Sequence, residues 1–119
     1  MSRDHRKLDV FQFADKLVVD VYRKSVTFPQ EERYGLQSQV RRAAVSVPTN
    51  IVEGCARDSQ SEYLRFLEIA FASCRELLYL IDLSQRLTFV KNVDAEELIK
   101  QGNSVAGMLS NLRDAIGRG

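Results

Sequence analysis

The sequence predicts an all-α protein in which four helices form an antiparallel up-down-up-down bundle. Apolar residues recur at steps of three and four along four long segments, which is the period of a helix and not that of a strand. Only two prolines and six glycines occur in 119 residues, so few positions would interrupt long helices. A chain of this length suits one domain with its own hydrophobic core.

The charge and composition of the chain are those of an ordinary globular protein. Its 17 basic and 16 acidic residues give a formal net charge of +1, whereas proteins that coat nucleic acid are usually far more basic. The apolar runs are well short of the ~20 residues of a membrane helix, and the N-terminus lacks the apolar stretch of a signal peptide. Cys55 and Cys74 form no CxxC motif and are predicted to be buried thiols. We therefore expect a cytoplasmic protein with no membrane contact.

The first predicted helix follows a polar segment. Residues 1–7 are predicted to be a flexible tail and residues 8–119 the single bundle domain. Asp9 is placed to cap the helix, whose apolar face would consist of Val10, Ala14, Leu17, Val18 and Val21. Phe28 is disfavoured from helical geometry because it precedes Pro29, so the helix is expected to end there.

The second predicted helix extends from about residue 36 to about residue 55 and contains Pro48. Its apolar stripe consists of Leu36, Val40, Ala43, Ala44, Val47 and Ile51. A proline inside a helix removes a backbone donor and clashes with the carbonyl four residues earlier, at a cost of ~3 kcal/mol. Either the helix continues with a kink, or it breaks and Ser46 caps a new helix. The fold prediction adopts the kink at Pro48.

The third predicted helix begins after Ser59, which forms a capping box with Glu62, and extends to about Leu87. Its inward stripe consists of Tyr63, Leu67, Ala70, Cys74, Leu77, Ile81 and Ser84. A helix that is apolar over most of its circumference is typical of a central helix or a subunit interface. We therefore predict a homo-oligomer. A second apolar set, repeating every seven residues, supplies the candidate interface: Leu64, Phe71 and Leu78.

The fourth predicted helix opens with Asp94 as its cap and Glu97 three residues later. Its apolar seam alternates steps of four and three through Leu98, Gly102, Val105, Leu109, Leu112 and Ile116. Gly102 lies on this seam, which indicates a close approach by a neighbouring helix.

The sequence contains no recognisable catalytic or metal-binding constellation. The one histidine, His5, falls in the predicted tail, so a nucleophile–histidine site would lack its base. A Glu-x-x-His pair, a Cys/His zinc set and a phosphate-binding glycine loop are all absent from the sequence. We therefore predict a protein that is not an enzyme and that needs no metal or cofactor.

Polar residues of the second helix and the start of the third supply the candidate binding surface. The candidates for contact with nucleic acid or another partner are Arg41, Arg42, Asn50, Glu53, Arg57 and Arg65. The arginines either bind phosphate groups or pair with nearby carboxylates on a solvated face. Glu53 precedes Arg57 by four residues, which is the favourable orientation for a helical ion pair. No RNA-binding signature interleaves aromatic residues with these basic residues.

Several stretches resemble the four-helix-bundle proteins of the rRNA intervening-sequence type. They are QVRRAAVSVPTNIVEG, DSQSEY, LRFLEIAFASCRELLYLID, the opening LDVFQFADKLVVDVY and the phrase FPQEERYGL, and the resemblance covers about residues 7–116. The resemblance implies an up-down bundle that assembles as a ring-like homopentamer, without an established activity for most members. Its signature positions in this chain would be Arg41, Arg42, Asn50, Glu53, Gly54 and Arg57.

The chain is also similar to the accessory protein of diversity-generating retroelements. That relative is a basic pentameric barrel that binds nucleic acid and a reverse transcriptase, whereas this chain is nearly neutral. Two functions are therefore expected. The first is a non-enzymatic homo-oligomeric scaffold or adaptor. The alternative is an accessory protein that binds RNA or DNA and acts with a reverse transcriptase or with rRNA.

Overall fold

The computed structural model describes residues 3–118, and within them the chain forms four α-helices and no strand. The helices are α1 (Asp9–Lys24), α2 (Leu36–Cys55), α3 (Gln60–Arg86) and α4 (Asn92–Arg118). Three single-turn 3₁₀ helices precede α1 or connect it to α2: His5–Lys7, Ser25–Thr27 and Gln30–Glu32. The predicted all-α fold is confirmed. No helix in this part of the chain combines the length and the apolar character needed to cross a membrane.

Contacts between successive helices run in opposite sequence directions, so neighbouring helices are antiparallel. In the middle of α2, Ser46 Oγ lies 2.8 Å from Ser73 Oγ of α3. Near the end of α2, a Cβ at Gly54 would lie 3.0 Å from the Cβ of Phe66, near the start of α3. α3 also packs on α4, and α1 packs on both α2 and α4, which closes the bundle.

The inward stripe of α3 forms the centre of the hydrophobic core. Every residue that the sequence assigned to this stripe is buried: Tyr63, Leu67, Ala70, Cys74, Leu77, Ile81 and Ser84. Ser84, near the C-terminal end of the stripe, has a hydrogen-bond partner, since its Oγ donates to the carbonyl of Leu80 at 2.7 Å. Both cysteines are buried and unlinked, as predicted. Burial raises the pKa of the Cys74 thiol to about 11, so this thiol stays protonated at neutral pH.

α2 continues through Pro48 without interruption, so the alternative in which Ser46 caps a new helix is wrong. Pro48 leaves the carbonyl of Ala44 without its usual helical donor, and side chains of the following turn bond the next two carbonyls. The Thr49 hydroxyl donates to the carbonyl of Val45 at 2.7 Å. The Asn50 amide donates to the carbonyl of Ser46 at 2.8 Å. These bonds connect the turn after Pro48 to the turn before it, and the kink of α2 stays a prediction.

The predicted helix starts are correct for α3 and displaced for α1 and α4. Ser59 Oγ accepts a hydrogen bond from the N–H three residues later at 3.1 Å, which confirms the predicted cap. Asp9 is the first residue inside α1, and the leucine before it occupies the cap position without a side-chain hydrogen bond. α4 begins at Asn92, so Asp94 lies in its first turn, where a carboxylate interacts favourably with the helix dipole.

The N-terminal segment contacts α2 and α3 as far as the structure describes it. The Arg3 N–H donates to the carbonyl of Cys55 at 2.7 Å, and the Arg3 guanidinium lies 4.0 Å from the ring centre of Tyr63. Residues 1–2, the first part of the predicted tail, and residue 119 lie outside the described residues. The flexibility of the tail stays a prediction.

Two glycines of α4 offer a matched test of helix packing. A Cβ at Gly102 would lie 2.6 Å from Cδ2 of Leu78, whereas a Cβ at Gly107 would meet no atom within 4 Å. Replacing an exposed helical glycine by alanine gains roughly 1 kcal/mol, and overpacking costs about 1–3 kcal/mol. We expect Gly107→Ala to raise the free energy of unfolding and Gly102→Ala to be at least ~1 kcal/mol less stable than Gly107→Ala. Urea unfolding at one protein concentration measures both, and equal gains would contradict the predicted close packing.

Candidate functional site

An open groove of about 670 Å³ follows the exposed face of α2. We call it the arginine groove and define it by its lining residues: Tyr22, Arg33, Tyr34, Gln37, Ser38, Arg41, Arg42, Val45, Ser46, Thr49 and Asn50. Among the residues that the structure describes, no aspartate or glutamate lines the groove. Its surface therefore combines positive charge, aromatic rings and small polar groups.

Helix periodicity explains why these side chains share one surface. The apolar stripe of α2 is buried, with the side chains of Val40, Val47 and Ile51 at most 2% exposed. On the outward side, the residues Ser38, Arg42, Val45 and Thr49 follow one another at steps of four, three and four. α1 contributes one tyrosine to this surface, and the turn before α2 contributes an arginine and a second tyrosine.

Arg41 is held in place by neutral acceptors. Its Nε donates to Ser25 Oγ at 2.8 Å, and its Nη2 donates to the carbonyl of Tyr22 at 3.2 Å. The guanidinium also lies 4.7 Å from the ring centre of Tyr22, within the range of a cation–π contact. The groove thus contains a half-buried positive charge whose position is set by hydrogen bonds to uncharged groups.

The other two arginines of the groove are more loosely held. Arg42 Nη2 lies 3.5 Å from Ser38 Oγ, at the limit of a hydrogen bond. The Arg33 guanidinium lies 5.5 Å from the ring centre of Tyr34. Within residues 3–118, none of the three groove arginines has a carboxylate oxygen at ion-pair distance. Their charges are therefore free to meet an anionic ligand.

The remaining predicted contact arginines form ion pairs outside the groove. Arg57 Nη2 lies 3.2 Å from Glu53 Oε2, and Arg65 Nε lies 2.9 Å from Glu62 Oε2. Both guanidinium groups lie against the Phe66 ring, at 4.8 and 4.5 Å from its centre. The hydrogen bond from Arg65 holds the pKa of the Glu62 carboxyl below its usual value. Of the two interpretations of the arginines, pairing with carboxylates therefore holds for Arg57 and Arg65, which lie outside the groove.

Asn50 is the one other predicted contact residue that lines the groove. Its amide donates both to the Ser46 carbonyl at 2.8 Å and to Ser46 Oγ at 3.0 Å. Ser46 Oγ in turn bonds Ser73 Oγ of α3. Asn50 therefore belongs to a hydrogen-bond network between α2 and α3. Because its side-chain nitrogen is used in that network, its side-chain oxygen is the atom that could contact a ligand.

The two groove tyrosines are not among the residues that the sequence singled out. Tyr34 is 87% exposed and is adjacent in sequence to Arg33, a pairing that could have drawn attention to it. Tyr22 also has a basic neighbour, Arg23, but the arginine that lies against it is Arg41, 19 positions later, and only folding brings the two together. The structure therefore supplies the interleaving of aromatic and basic side chains that the sequence does not display.

The candidate interface residues of α3 are half-buried and lie toward α4. Leu78 approaches Gly102, as described above. The Phe71 ring lies 5.2 Å from the guanidinium of Arg113, and Leu64 lies beside the C-terminal turns of α4. α4 of the same chain thus covers part of each side chain. Their role in a contact between subunits stays a prediction.

The side chains of the arginine groove are of the kinds that bind a ligand and not of the kinds that hold a metal ion. Among residues 3–118, no three His, Cys, Asp or Glu side chains come together in a cluster that could hold a metal ion. The groove itself is lined by arginine, tyrosine, hydroxyl and amide groups. Such groups bind anions and stack on planar rings, which is the chemistry we assign to this surface.

Comparison with known proteins agrees with the fold. A comparison with protein families matches residues 6–111 to the 23S rRNA-intervening sequence protein family. A solved structure of a protein with unknown function, from the S23 ribosomal protein family of Bacteroides thetaiotaomicron, superposes with a TM-score of 0.81. It is 17% identical, and the match covers 87% of this chain and 97% of that one. A search among curated proteins found no match.

Adjacent arginines of the groove are expected to differ in their effect on folding. Arg41→Met removes two hydrogen bonds and the stacking on Tyr22 and should lower the free energy of unfolding by about 1–3 kcal/mol. Arg42→Met removes one marginal contact and should stay within about 0.5 kcal/mol of the parent protein. Chemical denaturation of the two variants measures the difference. Equal stabilities would show that Arg41 is not held as described.

Proposed function

Because the chain belongs to the 23S rRNA-intervening sequence protein family, we propose that it is a non-enzymatic protein that binds nucleic acid in the arginine groove. The observation that carries this proposal is a groove with three arginines, no acidic lining residue and no carboxylate partner for those arginines among residues 3–118. A guanidinium group donates two parallel hydrogen bonds to a phosphate, so such a groove suits a polyanion.

The near-neutral net charge is compatible with this proposal because the charges are sorted in space. The formal net charge is +1, yet acidic side chains pair with basic ones outside the groove, as in Glu53–Arg57, Glu62–Arg65 and Asp82–Arg86. Each of these pairs cancels locally, whereas the groove keeps its positive charges together. Local potential guides the binding of a charged ligand more than net charge does.

The partners proposed for this activity follow from the family and from the resemblance. RNA is the first candidate ligand and DNA is the second. A reverse transcriptase or rRNA is the partner with which the protein would act. We place this activity in the cytoplasm, where buried unpaired thiols such as Cys55 and Cys74 remain reduced.

Binding of a labelled RNA hairpin tests the proposal, because a hairpin presents both a duplex and unpaired bases. We expect fluorescence anisotropy to report binding that weakens steeply from about 50 to 200 mM salt. Arg33→Gln with Arg42→Gln should weaken binding and reduce the slope of log K against log salt by roughly 1 for each lost phosphate contact. Arg41 is left intact because its loss also affects folding.

The matched control for this experiment is Arg86→Gln. Arg86 is a surface arginine paired with Asp82 at 3.0 Å and lies outside the groove, so its loss should leave both affinity and slope unchanged. Arg57→Gln asks the same question of a predicted contact residue that already has a partner. Absence of binding at the lowest salt, for both RNA and DNA, would refute the proposed function.

A second candidate function is a homo-oligomeric scaffold, with a pentameric ring as the proposed assembly. It is favoured by the second apolar set of α3, whose members stay partly exposed although α4 packs beside them. The two candidates are compatible, because a ring would repeat the arginine groove in every subunit. Repetition raises the apparent affinity for a long ligand even when each contact is weak.

Solution mass and a pair of α3 variants test the scaffold candidate. Five copies of the 13.6 kDa chain would have a mass of about 68 kDa, which light scattering after gel filtration would report. We expect Leu64→Glu to reduce assembly while circular dichroism shows a retained helix content. Tyr79→Glu is the control, since Tyr79 is 58% exposed on α3 and is not in the predicted set. A monomeric parent protein at micromolar concentration would contradict the candidate.

A further inference from the structure

We propose that the arginine groove prefers single-stranded over double-stranded nucleic acid and that Tyr34 is the platform on which an unpaired base stacks. This inference rests on the proposed function and adds the class of ligand. The observation behind it is that two tyrosine rings lie among the arginines, although binding of phosphate groups by charge does not need aromatic rings.

Tyr34 has the exposure of a ligand-binding ring and not that of a core residue. It lies in the turn between the 3₁₀ helix Gln30–Glu32 and the start of α2, and it is 87% exposed. A tyrosine so exposed contributes little apolar burial to folding. The neighbouring Arg33 guanidinium lies 5.5 Å from its ring centre, so positive charge accompanies the exposed ring.

Tyr22 and Arg41 form the fixed wall of the same groove. The Arg41 guanidinium lies 4.7 Å from the Tyr22 ring centre, and its hydrogen bond to Ser25 Oγ sets its orientation. Guanidinium planes and aromatic rings are the two surfaces on which proteins stack unpaired bases. The groove therefore offers stacking surfaces at Tyr34 and at the Arg41–Tyr22 pair, with phosphate-binding groups beside them.

The rings discriminate between strands in a way that the arginines do not. Single-stranded and double-stranded nucleic acids both present phosphates, so Arg33 and Arg42 attract either form. In a duplex the base faces are covered by their neighbours, whereas a single strand exposes them to an aromatic ring. A preference for single strands therefore depends on the stacking surfaces, of which Tyr34 is the most exposed, and this makes the inference separable from phosphate binding.

The experiment compares one RNA in two forms. A labelled oligonucleotide of roughly 12 nucleotides without self-complementarity is titrated alone and after annealing to its complement, at one salt concentration. We expect the parent protein to bind the single strand more tightly. Tyr34→Leu should weaken single-strand binding roughly ten-fold and leave duplex binding unchanged. Tyr34→Phe, which keeps the ring, should bind as the parent protein does.

Salt dependence separates the tyrosine from the arginines in the same titrations. The Tyr34 variants should keep the salt slope of the parent protein, because a stacked ring displaces no counterion. Arg33→Gln with Arg42→Gln should reduce the slope for both forms of RNA. A thermal melt of each Tyr34 variant should coincide with that of the parent protein, given how exposed this side chain is.

The possible results distinguish the inference from the function on which it rests. Equal binding of the two forms, with no effect of Tyr34→Leu, would overturn the single-strand preference and leave nucleic-acid binding intact. A loss on Tyr34→Phe as large as that on Tyr34→Leu would overturn stacking, because the ring is still present. Binding of neither form would overturn both proposals, and an acidic protein segment would then be the ligand to test on this groove.

Discussion

Burial of the inward face of α3 sets how the helices on either side of it pack. Leu67, Cys74 and Leu77 are fully buried along a helix of 27 residues, and α2 and α4 pack against it on either side. Each buried apolar side chain contributes about 1.5–3 kcal/mol relative to exposure, so the stripe determines which face every neighbour turns inward. Because α2 turns its apolar face toward α3, its opposite face is exposed, and the arginine groove lies along that exposed face.

The arginines of the chain divide into two groups according to what surrounds them. Arg57 and Arg65 lie near carboxylates of their own or the preceding turn and form local ion pairs, which contribute little stability at an exposed site. Arg41 is held by a hydroxyl and a carbonyl oxygen, which orient the guanidinium without cancelling its charge. A chain with a net charge of +1 can thus carry a concentrated positive surface.

The polar residues around Pro48 make contacts within α2 and with α3, whereas other polar residues of the same helix line the groove. The proline is buried inside α2, where it removes a backbone donor. The hydroxyl of Thr49 and the amide of Asn50 donate to carbonyls of the preceding turn, and Ser46 connects that turn to Ser73 of α3. These bonds connect the turns on either side of the proline and join α2 to α3, while Arg41 and Arg42, about two turns before Pro48, lie along the groove.

The helices and their inward faces were predictable from the residue pattern, because burial follows directly from the 3.6-residue period. The stripe of α3 and the α2 stripe from Leu36 to Ile51 are buried as their spacing predicts. The starts of α1 and α4 were less accurate, since the apolar period does not define the terminal residue of a helix. The spacing of Glu53 and Arg57 predicted their ion pair, whereas the uncharged partners of Arg41 and its contact with Tyr22 come only from the folding of the chain. Tyr22 meets Arg41 through the packing of α1 on α2, and no local pattern encodes a contact between residues that lie far apart in the chain.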